Sequence, residues 1–199
     1  MKRVIAVALF SAGLISAPAL AQSQASGWYV GGSIGQMEAK DACDGVGIGC
    51  DDKDTAWKIF AGYQINQNFA VEGGYTDLGK VSASGTVGGV SVNAKAEATA
   101  WELVGVGSIP VGNSFSLYGK GGFYRGEVDA DASAAIPGFS ASAQESDTNT
   151  DLTFGIGAAF AVNRNVSLRA EWQRYKDVGG SDTGESDIDV MSVGLLFRF

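Results

Sequence analysis

From residue 187 to its end the chain alternates strictly. Met191, Val193, Leu195, Phe197 and Phe199 fall on one parity, and Ser192, Gly194, Leu196 and Arg198 on the other. A period of two is that of a β-strand, whose successive side chains point to opposite faces. The same period recurs at 28–36, 55–65, 69–78, 94–109, 115–127, 151–161 and 166–175, and it closes with 188–199. One parity in each segment is apolar and often aromatic, as in Trp57, Ile59, Ala61, Tyr63 and Ile65, or Leu152, Phe154, Ile156, Ala158 and Phe160. The other parity is small, polar or charged. In segment 94–109, Trp101 and Leu103 share a face with Gly105 and Gly107, which leaves Val104 and Val106 on the polar side with Glu102. A bulge could reset that register, but the alternative turns Glu102 toward the apolar side, so simple parity is kept.

The connections alternate as regularly as the residues. Segments 66–68, 111–114 and 163–165 are short and rich in Asn and Gly, the residues of tight turns. Segments 37–54, 79–93, 128–150 and 176–187 are long and acidic. Short turns at one end and long loops at the other mark an eight-stranded antiparallel up-and-down transmembrane β-barrel, an all-β fold with an apolar outside and a polar lumen. Aromatics near the strand ends suit the two girdles such a barrel places at the membrane surfaces. Both chain ends are expected on the periplasmic side.

Composition adds a compartment. Lys2 and Arg3, the apolar run 4–15 and Ala19-Leu20-Ala21 form a secretory leader, too short to span a membrane. The expected domains are a signal peptide at 1–21 and the barrel at 22–199, with cleavage after Ala25 as the alternative. No later stretch is long and apolar enough for a transmembrane helix. The formal charge of −8 becomes more negative once the basic leader leaves, which argues against nucleic acid as a partner. The 29 glycines would suggest disorder were they not interleaved with regularly spaced aromatic and branched side chains.

Three groups of residues carry a resemblance. Gly62-Tyr63-Gln64-Ile65-Asn66 is followed by Phe69-Ala70-Val71-Glu72-Gly73-Gly74-Tyr75 and Leu78-Gly79. Later come Ser167-Leu168-Arg169-Ala170-Glu171-Trp172-Gln173 and the closing Gly194-Leu195-Leu196-Phe197-Arg198-Phe199. Together they resemble the OmpA-type transmembrane domain family, over nearly the whole of 22–199. OmpA proper continues into a soluble peptidoglycan-binding domain and this sequence ends with its barrel, so the resemblance implies a barrel-only member. It also implies insertion by the barrel assembly machinery after handling by periplasmic chaperones, with the final strand, at Leu195, Phe197 and Phe199, as the assembly signal.

Parity turns Lys58, Glu72, Glu102, Lys120 and Arg169 into the lumen, with Glu171 and Arg198 continuing the inner face toward the two rims. Unpaired charges in a narrow lumen are costly, so opposite signs should pair, Glu72 with Arg169 or Lys120. The resemblance agrees, since the family interior holds a charge-paired plug whose acidic and basic positions Glu72 and Arg169 match. A static polar core is expected, with a gated small-solute pore as its rival.

Cys43 and Cys50 lie in a secreted loop, and a disulfide between them is expected. Zinc would want more ligands. The surrounding Asp41, Asp44, Asp51, Asp52 and Asp54 lack the spacing of a calcium loop, so no metal or cofactor is expected. The chain contains no His, which removes the usual general base of outer-membrane barrel hydrolases and argues against an enzyme.

Two of the long segments read as hairpins with polar arms and apolar tips, at Val87 and Val90 and at Ile136 and Phe139. The tips are expected either to pack on each other or to contact a host molecule, a phage or another envelope component. The sequence therefore points to an integral outer-membrane protein embedded in lipid, with a role in envelope integrity and loops available for binding. The alternative is a narrow pore or lateral-opening route for small or apolar solutes.

Overall fold

Alternation becomes strand throughout the structure, a computed structural model that describes residues 26–40, 49–87, 90–136, 139–180 and 184–199. In chain order the strands are β1 (Gly27–Ala39), β2 (Gly49–Asp51), β3 (Lys53–Gln64), β4 (Phe69–Val87), β5 (Val90–Val111), β6 (Phe115–Ile136), β7 (Phe139–Ala161), β8 (Val166–Gly180) and β9 (Gly184–Arg198). Short β2 pairs with β4 beyond the end of β3 and continues that stave, so the wall has eight staves, each antiparallel to its neighbours. The last strand closes on the first: Tyr29 pairs with Arg198 at one end of the seam and Ala39 with Ile188 at the other. Closure satisfies backbone groups that an open sheet would leave facing lipid. The expected signal peptide at 1–21 and Cys43 lie outside the described residues.

Simple parity holds along β5. Trp101 and Leu103 are 66% and 64% exposed, while Val104 and Val106 are buried in the lumen with Glu102. The β5–β6 pairing runs from Ser91 to Val111 without a shift. Register shifts occur instead on β4 between Asp77 and Gly79, and on the β8–β9 ladder between Tyr175 and Val178. Gly79 takes a left-handed φ of 82°, and its N–H donates to Asp77 Oδ1 at 2.9 Å. The extra residue, Leu78, is thereby driven wholly into the interior.

The outer wall carries the apolar band. Trp28 packs on Tyr63 at 5.1 Å between ring centroids near the short-turn end, and Tyr75 packs on both Trp57 and Trp101 (5.7 and 5.0 Å) near the other. Two of the short turns share one construction. Asn66 Oδ1 accepts the backbone N–H groups of Asn68 and Phe69, and Asn163 Oδ1 those of Asn165 and Val166. The side-chain amides of Asn68 and Asn165 then donate to Ser108 and Arg198 carbonyls, each at 2.9 Å, tying the turn to the neighbouring stave.

At the opposite end the strands run on well past the apolar band. β4 and β5 pair out to Val87 and Val90, and β6 and β7 out to Ile136 and Phe139, so the polar arms are ladder rather than loop. The side chains of those four tip residues lie outside the description. Along these arms the sense of the barrel reverses. Lys80, Glu97, Asp129 and Asp131 face outward and are exposed, while Val81, Ala96, Ala98 and Val128 turn inward. Lys80 and Glu97 form a cross-strand pair at 2.6 Å, and this hydrogen bond raises the Lys80 pKa above its usual value.

Candidate functional site in the barrel interior

The lumen is filled in layers. Nearest the short turns lie Tyr29, Phe60, Ala70, Val104, Val106, Tyr118 and Leu196. Beyond them comes a belt of charge, and beyond that an apolar layer that includes Met37, Leu78, Tyr124, Tyr175, Ile188 and Val190.

The belt draws on β3 (Lys58), β4 (Glu72), β5 (Glu102), β6 (Lys120) and β8 (Arg169 and Glu171). Arg169 Nη1 donates to Glu72 Oε1 at 2.7 Å, and Nη2 lies 3.2 Å from Glu171 Oε2. Lys58 Nζ reaches Glu102 Oε1 at 2.8 Å, and Lys120 Nζ reaches Glu171 Oε1 at 2.6 Å and Glu102 at 3.5 Å. Three cations therefore face three carboxylates, and the network closes electrically on itself. Of the two partners open to Glu72, the structure selects Arg169.

Glu171 belongs to the interior charges, but at a height the sequence does not indicate. It does not continue toward a rim but sits inside the belt, within ion-pair distance of Lys58, Lys120 and Arg169. Parity tells which way a side chain faces; its height in the lumen depends on the stagger of neighbouring staves. Arg198 does lie toward the short turns, where it lines a vestibule of about 320 Å³ that reaches Glu72 and Arg169.

Neutral side chains complete the belt, and sequence reasoning had not singled them out. Tyr29 donates to Glu72 and Tyr118 to Glu171, each at 2.8 Å. Glu102 Oε2 accepts from Gln173 and Tyr175 at 2.8 and 2.7 Å. Gln173 also accepts from Lys58 and donates to Thr153 Oγ1. Each of these falls on the inward parity of its strand, which was the available signal. The Arg169 guanidinium lies between two rings, 4.4 Å from the Tyr118 centroid and 4.9 Å from that of Phe60.

Glycine makes room for the rings. Tyr29 pairs across the ladder with Gly62, and Tyr118 with Gly157. A Cβ at either glycine would overlap the tyrosine ring facing it. Cavities beside the belt hold about 10 Å³ each, close to the space of one water. The arrangement is a saturated ion network with little room for a moving solute, and among the described residues no cluster could hold a metal ion.

The profile of the OmpA-like transmembrane domain family matches residues 23–199. Outer membrane protein A of Yersinia pseudotuberculosis is 30% identical over the whole of this chain, and that of Serratia marcescens 27%; the alignments cover 55% and 56% of those proteins. The chain thus spans about half the length of the curated relatives it matches. Among solved structures, the N-terminal β-barrel domain of Pseudomonas aeruginosa OprF superposes with a TM-score of 0.52 at 12% identity, over 89% of this chain and 100% of that one. Ail, the attachment invasion locus protein of Yersinia pestis, gives 0.51 at 18% identity, over 87% and 97%. These likenesses establish the fold alone. With a closed eight-staved wall, an apolar exterior and a family profile that covers nearly all of it, the chain belongs to the OmpA-like transmembrane domain family of outer-membrane β-barrels.

Proposed function

We propose that the protein is a closed structural barrel of the outer membrane that supports envelope integrity, with its long hairpins on the cell surface and available for binding. The observation that carries this reading is the belt itself: three ion pairs share their partners across the lumen, with about 10 Å³ of free space beside them. Long hairpins at one end only support surface exposure there. A protein of the same fold is named for attachment and invasion, which makes adhesion to a host molecule or phage a natural use of such hairpins. The proposal includes a leader at 1–21, a Cys43–Cys50 disulfide, and delivery by periplasmic chaperones to an assembly machinery that reads the final strand.

The test joins two measurements. Purified protein in planar bilayers should show no steady conductance, and cells deleted for the gene should become more sensitive to detergent. Steady wild-type currents with unchanged detergent resistance would overturn the structural reading.

One observation favours a pore as the second reading. The vestibule from the short-turn end reaches Glu72 and Arg169, so the belt is the barrier between that vestibule and the interior beyond. Ion selectivity that changes on neutralising Glu72 or Glu102 would establish the pore.

A further inference from the structure

Above the belt the barrel encloses a second space with opposite chemistry. It measures about 600 Å³, within the roughly 300–1,000 Å³ usual for small-molecule sites. Val81, Ala94, Ala96, Ala98, Val128 and Ala130 line its walls. Their small side chains leave the space hollow, where larger ones would have filled it. Met37, Leu78, Tyr124 and Tyr175 are fully buried beneath it and separate it from the charges below. The outward faces of the same strands carry Lys80, Glu97 and Asp129, so this end is built like a soluble barrel, polar outside and apolar within.

Among the described residues the wall is incomplete on one side. β7 pairs with β8 only as far as Thr153 and Tyr175, and the β6–β7 hairpin runs on without β8 beside it. On the inward parity of that free stretch of β7 stand Glu145 and Asp147, opposite Ala130 and Val128, and the cavity is lined by Glu145 with Asp131 and Lys95, so carboxylates outnumber the one ammonium there. An apolar hollow with carboxylates at its open side suits a chain that buries its tail and leaves a head at the gap. A cationic or neutral head fits there; an anionic head would be repelled.

We infer that the hairpin end of the barrel is a binding cup for a single aliphatic chain bearing a neutral or cationic head group. Burial of the chain supplies the affinity, and the carboxylates at the gap select the head. The cup lies beyond the charge belt and stands whether that belt is static or gated.

The test uses the full chain in nanodiscs with ¹³C-methyl alanine. Ala96, Ala98 and Ala130 report the cup, while Ala61 and Ala170, exposed on the outer wall, report probe dissolved in the bilayer. Titration with decyltrimethylammonium or decanol should shift the cup methyls saturably and the outer methyls only in proportion to added probe. Decanoate should bind about tenfold or more weakly than decyltrimethylammonium, because its head meets like charge. Ala96→Phe with Ala130→Phe should abolish the saturable response in protein that still migrates as a folded barrel. Cup methyls that move only in parallel with Ala61 and Ala170 would overturn the inference, as would decanoate binding equal to or tighter than the cation. The wild-type titration decides the matter even if the filled variant fails to fold.

Discussion

Glu72 and Arg169 allow the belt to be tested one charge at a time. Removing one partner of a dry ion pair costs roughly 3–5 kcal/mol, because the other charge is left buried. Here Arg169 keeps Glu171 at 3.2 Å, so Glu72→Gln should fall near the lower bound. Arg169→Met leaves Glu171 paired with Lys120, so the double variant should recover much of the loss. Denaturant unfolding of both single variants and the double variant measures this; additive losses would mean that the two side chains do not act as a pair. Glu72→Gln should also raise any residual bilayer conductance. A second contrast isolates sterics from charge. Gly62→Ala forces the Tyr29 ring aside, strains its bond to Glu72, and should cost about 1–3 kcal/mol. Gly105→Ala, whose Cβ would find its nearest neighbour at 3.9 Å on the outer wall, should be nearly neutral in the same assay. At this scale alternation reveals facing but not contact. Parity sent six ionisable side chains of the belt inward, yet Glu171's height and the tyrosine–glycine pairs depend on which residues stand opposite across the ladder.

Strands were legible because an apolar wall against lipid demands a strict period of two. Their ends were less so. Beyond the apolar band the period weakens into runs such as Ala94–Lys95–Ala96–Glu97–Ala98, where small inward residues replace large outward ones. The hairpins were visible there, but their continuity with the membrane staves was not. The bulges at Leu78 and near Asp177 are not legible in the sequence, since each needs its partner strand to define it. The final strand offers the clearest prediction at this scale. Phe199 is 77% exposed, its ring packs on Phe197 at 5.4 Å, and its N–H donates to the Trp28 carbonyl. Phe199→Asp removes a little packing from a finished barrel, but on the proposed function it places a charge in the apolar strand that the assembly machinery would read. Surface levels of folded protein should fall steeply, whereas the unfolding midpoint of whatever folds should move little. Undiminished surface levels on quantitative blotting would show Phe199 to be an ordinary girdle residue.

For the whole molecule, closure is the dominant fact, and a closed wall with no free edge in its apolar band resists detergent until heated. Unboiled protein should therefore migrate differently from boiled protein on a denaturing gel, and the protein in cells should fractionate with outer membranes. Identical migration before and after boiling would contradict a closed barrel. The fold was legible at this scale because two independent rhythms agreed, residue alternation and the alternation of short and long connections. The cup was not, because a cavity is space left between strands and no single strand encodes it.

The seam between β1 and β9 also sets an order in time. Every other junction in the wall joins staves adjacent along the chain, but Tyr29 must find Arg198 across nearly the full described length. Contacts of such long range are slow to form, because the closure entropy falls due before their energy is gained. Until β1 and β9 meet, each presents unpaired backbone along one margin, so every partial product is sticky at two edges. Folding of this wall therefore cannot be completed stave by stave as the chain emerges. It finishes in one late event, and the interval before that event is when the chain is most vulnerable to aggregation.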